Sequence, residues 1–192
     1  MNDLSEAAIE LHEYLRTHDV SHFFIGGVAA QYWGEPRATA DVDVCVIAPA
    51  ERMNEVIQLL VGRFRSRFSD AAAFAAENRI LPVLASNGCG VDVSFGGPWF
   101  EEEAAARAVP VEISPGKSIP MCSAGDLVVY KAVAGRPTDV RDIGSIIERQ
   151  KRDLDARRIR RLLREFKAIT NDDEPLRVFD HAWKKHGPQA ED

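Results

Sequence analysis

Asp41 and Asp43 stand two residues apart in the run Asp41-Val42-Asp43-Val44-Cys45-Val46-Ile47. On a strand that spacing puts both carboxylates on one face and Val42, Val44 and Val46 on the other. Two carboxylates held this close repel, and one keeps its proton unless a cation sits between them. Hard oxygen ligands with open positions suit Mg²⁺ or Mn²⁺, which usually shares its shell with substrate phosphates. Upstream, Gly26-Gly27 falls between an apolar strand and a short helix. A backbone without side chains can approach a phosphate there, with N–H groups of the helix start facing it. A third carboxylate, Asp92, interrupts a later apolar strand. If that strand neighbours the first, three acids converge, as in-line displacement at phosphorus with two metals requires. Each feature also has a plainer explanation. The aspartates would be solvated strand acids, and the glycines would allow close strand–helix packing.

Positioning these groups takes an ordered set of elements. Leu4, Ala8, Leu11 and Leu15 recur at helical spacing, predicting a helix over 5–18. A strand over 22–25, a helix over 28–33 and a valine-rich strand over 41–47 follow. Pro49 opens a helix whose apolar face carries Val56, Ile57 and Leu60. Residues 66–78 favour helix only through their alanines. Strands over 80–85 and 91–95 are joined through Asn87-Gly88, and Pro82 places the first of them at an edge. An acidic helix over 98–106 precedes two strands around Ser114-Pro115-Gly116-Lys117. From Ser123, with Asp126 three residues on, a capping box opens an all-helical half. Asp139 reads as the cap of the helix carrying Ile143, Ile146 and Ile147. The expected class is α/β (α+β). A small mixed sheet flanked by helices occupies residues 1–123, and a helical subdomain follows over 124–192.

Gly26-Gly27-Val28-Ala29, then Arg37-x-Thr39-x-Asp41-x-Asp43, then apolar-Asp92-apolar resembles the DNA polymerase beta-type nucleotidyltransferases. The run is most similar to the AbiEii-like members found in bacterial toxin–antitoxin and phage-abortive systems, and to their small relatives. Those proteins carry a later helical lysine and an Arg-Pro-Lys-Asp-x-x-Asp-Ile type run, which Lys131 and Arg136-Pro137-Thr138-Asp139-Val140-Arg141-Asp142-Ile143 resemble. The resemblance spans about Phe24 to Ile147 and implies roles. Asp41 and Asp43 would bind both metals, and Asp92 the one that activates the acceptor hydroxyl. Gly26, Gly27 and Lys131 would hold the triphosphate of ATP or another NTP. Arg37 and Thr39 would contact phosphate or brace the loop. Asp139 and Asp142 are additional candidates, equally explained as a helix cap and its first-turn acid. Two residues depart from the pattern. Gly27 stands where many members have serine, and Thr138 replaces a lysine.

The implied activity is transfer of a nucleoside monophosphate to an acceptor hydroxyl, with Mg²⁺ or Mn²⁺ as cofactor. A tRNA 3′ end is the leading acceptor, and a protein hydroxyl or an aminoglycoside follows. A toxin role with a cognate antitoxin partner goes with that reading. The alternative is a nucleotide- or RNA-binding module without turnover. A net charge of -6 excludes nucleic-acid binding over the whole surface, but Arg157 to Lys167 forms a basic helix that could meet RNA phosphates or be a solvated face. Cys45, Cys89 and Cys122 lack paired spacing and fit reduced thiols. No signal pattern or membrane-length apolar run occurs, so a cytoplasmic protein is expected. Gly116-Lys117-Ser118 imitates a Walker loop, but Val111 stands where its first glycine belongs. The histidines show no ligand spacing.

Overall fold

A computed structural model describes residues 3–97 and 99–188. The chain divides into two compact units, Met1–Val28 with Ala38–Cys122, and Ala29–Arg37 with Ser123–Asp192.

The first unit is built on a mixed sheet. Its elements run α1 (Asp3–Thr17), β1 (Ser21–Ile25), the start of α2 (Gly26–Trp33), β2 (Asp41–Ile47), α3 (Ala50–Arg63) and β3 (Arg65–Ser66). Then come α4 (Ala71–Asn78), β4 (Ile80–Leu84), β5 (Gly90–Phe95), α5 (Phe100–Ala106), β6 (Val109–Ser114) and β7 (Lys117–Met121). Among the described residues the strand order is β3-β4-β5-β2-β1-β7-β6. β2 lies parallel to β5 and antiparallel to β1. Valine drives this: Val42, Val44, Val91 and Val93 are fully buried, while Asp41, Asp43, Gly90, Asp92 and Ser94, which alternate with them, are half-exposed. The expected acidic helix begins at Phe100 in the described residues, and Pro98 lies outside them.

Two expectations need correction here. β4 is one strand in from the edge, because the two-residue β3 pairs with it at Val83 and Leu84. Pro82 is tolerated because the β3 ladder has ended there, and its own carbonyl accepts from Arg67 N–H at 3.1 Å on that side. The glycine pair is not a loop before α2. It forms the helix's first turn.

α1 buries Ala7, Ala8, Leu11 and Leu15, and it brings His12 against His22 of β1. His12 Nδ1 and His22 Nε2 are 2.8 Å apart, and His22 Nδ1 lies 2.7 Å from Val20 O. Two neutral rings satisfy this chain, with His22 donating to the carbonyl and accepting from His12. Burial pushes His22 down from 6.5 to about 4, and burial also lowers His12. The unfolded chain therefore takes up the proton first. Stability is complete above the unfolded value of 6.5 and declines as pH falls from there toward about 4. We expect a loss of about 2–3 kcal/mol across that window. Urea midpoints at pH 7 and pH 5 test it, and His22→Phe should flatten the slope.

The second unit is helical beyond Ala29–Arg37. Its elements are α6 (Ala124–Ala134), α7 (Pro137–Gln150), a 3₁₀ turn (Lys151–Asp153), α8 (Ala156–Thr170) and α9 (Glu174–His186). Ser123 caps α6: its Oγ accepts from Asp126 N–H at 3.1 Å and donates to Asp126 Oδ2 at 2.6 Å. Asp126 is more than a cap, since it is fully buried and paired with Arg158 of α8. Arg136, not Asp139, is the N-cap of α7, with Pro137 as its first residue. Among the described residues no helix is long and apolar enough to cross a membrane.

Candidate active site

β2 and β5 run side by side with Asp43 directly opposite Asp92 and Asp41 opposite Gly90. Residues paired this way share a face, so Asp41, Asp43 and Asp92 project from one side of the sheet while their valine neighbours project from the other. All three acids are partly accessible.

The start of α2 closes on the same face. Gly26 has φ of 65°, a conformation that costs little without a side chain, and a Cβ there would stand 1.9 Å from Asp43 Oδ2. Gly27 N–H donates to Asp43 Oδ2 at 3.2 Å, so a first-turn amide of α2 orients that carboxylate. A Cβ on Gly27 would lie 2.1 Å from Thr39 Oγ1. The Thr39 hydroxyl therefore occupies the space that a residue-27 side chain would need, which accounts for glycine at that position. Gly27→Ser alone should be destabilising, and Thr39→Ala should relieve it. A thermodynamic cycle on urea midpoints should give a coupling of about 0.5–3 kcal/mol, and an additive result would show that the two sites do not compete for space.

Sequence reasoning missed Arg67. It follows β3, and its guanidinium reaches across the sheet face to the acids. Nη2 is ion-paired with Asp92 Oδ1, and Nη1 lies 3.9 Å from Asp41 Oδ1. Asp92 Oδ1 is buried, yet no donor among the described residues is aligned to hydrogen-bond it. A two-residue strand has no periodicity to read, so no local signal marked this arginine.

A divalent cation is the group such a site implies, and the donor set fits one. Three hard carboxylates share a face, and Gly26 and Gly90 leave the room that Asp43 and Asp41 fill. Among the described residues, no three His, Cys, Asp or Glu side chains are close enough together to enclose an ion as the acids now stand.

The remaining expected residues lie in the second unit. Lys131 is 4% exposed, with Nζ 2.8 Å from both Asp139 Oδ1 and Asp142 Oδ2. Arg37 Nε and Nη2 grip Asp142 at 2.7 and 2.8 Å, and Arg136 Nε donates to Asp139 at 2.6 Å. Burial alone would raise both carboxyls, but the hydrogen bonds and charges of these cations outweigh it and hold both below the usual carboxylate range. α7 also holds the segment before Arg37. Arg149 donates to Gly34 O at 2.7 Å, Gln150 to Trp33 O at 2.8 Å, and Ser145 Oγ accepts from Glu35 N–H at 3.3 Å. Arg37 and Lys131 are thus joined through Asp142 in one buried ionic cluster.

Comparison with solved structures places this architecture. An antigenic nucleotidyltransferase-like protein from Paracoccidioides brasiliensis superposes with a TM-score of 0.52 at 16% identity, over 76% of this chain and 75% of that one. The chain has a nucleotidyltransferase-like fold. The antibiotic-resistance factor ANT(2'')-Ia matches over 94% of this chain and 92% of its own at 14% identity, with a TM-score of 0.48. No protein-family model matches the chain. No curated protein matches it either.

Proposed function

We propose that the protein transfers a nucleoside monophosphate from an NTP to an acceptor hydroxyl. One observation carries this reading: Asp43 stands opposite Asp92, with Asp41 on the same face, beside the glycine turn that starts α2. Asp41, Asp43 and Asp92 would hold Mg²⁺ or Mn²⁺. A cation bound there would stabilise charge on the α-phosphate and favour ionisation of the acceptor hydroxyl. The chain's own groups do the rest. Gly27 N–H fixes Asp43, and the helix start at Gly26-Gly27, with the Thr39 hydroxyl beside it, would hold the triphosphate. The acceptor oxygen bonds to the α-phosphorus, its proton passes to solvent or a carboxylate, and pyrophosphate leaves.

As acceptor we propose an RNA 3′ end, tRNA first. Arg157, Arg161, Arg164 and Lys167 are exposed on α8 and could meet phosphates. Several cations of that helix already have acidic neighbours: Arg158 pairs with Asp126, Arg160 with Asp180, Arg161 with Glu165 and Lys167 with Asp173, the last two pairs lying at the surface where phosphates can compete for them. A toxin role beside a cognate antitoxin belongs to this reading. Incubation with each α-labelled NTP, Mg²⁺ or Mn²⁺, and total tRNA should label the RNA. Label appearing instead on protein or on an aminoglycoside redirects the acceptor, and no transfer to any of them by folded protein removes the activity.

The Arg67 contact with the acids favours a second reading, nucleotide binding without turnover. It predicts heat of NTP binding with no pyrophosphate release.

A further inference from the structure

Arg67 is the one cation whose guanidinium spans Asp41 and Asp92 among the described residues. It is held from its backbone as well as its charge. Its N–H donates to Pro82 O at 3.1 Å, and Pro82 lies directly opposite Asp92 in the β4–β5 ladder. The side chain therefore starts level with Asp92, on the far side of β4, and reaches over Pro82 to the acid it neutralises. Asp43 is held differently, by the Gly27 amide, so the three acids fall into an anchored one and two that share a guanidinium.

We propose that Arg67 is a built-in counter-cation that competes with the divalent metal for Asp41 and Asp92. This rests on the reading that these acids take a metal. Three like charges on one face repel, and a positive group beside two of them relieves that repulsion. The same contact blocks the Asp92 oxygen that a metal would take. Metal binding then requires the guanidinium to withdraw, and the lost ion pair is subtracted from the metal's affinity. At 32% side-chain exposure Arg67 can swing into solvent, so the competition is reversible.

The test is Mn²⁺ binding to nucleotide-free full-length protein, read as free Mn²⁺ by electron paramagnetic resonance. Arg67→Ala should bind Mn²⁺ roughly ten-fold more tightly than the natural chain. Arg67→Met does the same if the alanine variant folds poorly. Arg67→Lys, a cation without the planar fork, should fall between them. Arg65→Ala is the control: it removes an exposed arginine two residues away and should change affinity less than two-fold. Measurable binding that is equal or weaker in Arg67→Ala and Arg67→Met overturns the competition while leaving the metal reading intact. Equal tightening in Arg65→Ala also overturns it, since net charge would then be the cause. Failure of every folded variant to bind Mn²⁺ removes the metal reading and the competition with it.

Discussion

Asp43→Ala should lower nucleotide transfer by at least about 10³-fold while leaving the fold as stable as before, or more so. The two halves of this result come from the same geometry. Asp43 faces Asp92 across a strand pair, with Asp41 two residues along. These acids oppose one another, and Arg67 offsets the charge of Asp41 and Asp92. Removing the central acid relieves repulsion and gives up the hydrogen bond from Gly27 N–H. That amide lies at a helix start, where water can replace the carboxylate. Transfer chemistry has no such substitute, because Asp43 is the acid that α2 orients. Single-turnover label transfer and thermal melts would be measured side by side. Activity within ten-fold of the natural chain would show that the acid face is not the catalytic one. A melting point lower by many degrees would show that Asp43 is structural.

The parts of this arrangement that could be read from the sequence are those with a short period. β2 alternates acid and valine, and its expected bounds, 41–47, are those observed. The β4–β5 pair was legible because Asn87-Gly88 marks its turn, and Gly88 takes a φ of 84° there. Ser123 and Asp126 announced the start of α6 through residues three apart. What escaped depends on partners distant in sequence. Asp126 looks like a cap until Arg158 meets it from a helix thirty-two positions on. β3 has two residues, too few for alternation, so neither the inner place of β4 nor the reach of Arg67 left a trace. Asp139 is an instructive miss, because the signal was present. Pro137 suits the first position of a helix, which makes Arg136 the cap and puts Asp139 in the first turn. The departure from serine at Gly27 was visible too, but its cause, the Thr39 hydroxyl, was not.

Lys131→Met should cost about 3–5 kcal/mol of stability, because it leaves buried carboxylates short of a partner. Nζ is shared equally, at 2.8 Å, between Asp139 and Asp142, which are 1% and 5% exposed. Methionine keeps the length and the packing but leaves each carboxylate short of one charge-assisted bond. Arg136 and Arg37 remain, and they place the loss toward the lower end of the range. The acid limb of the stability curve gives an independent check. Both carboxyls lie below the usual 3.8, so their contribution is complete above that value and lost as pH falls through the folded-state values. Without Lys131 those values rise, and acid unfolding should begin at higher pH. The alternative role, a lysine that grips triphosphate, predicts something else: an unchanged urea midpoint and a raised KM for NTP. A variant with that pattern would return Lys131 to the nucleotide. A destabilised variant would make it the brace that joins α6 to α7 and, through Asp142, to Arg37.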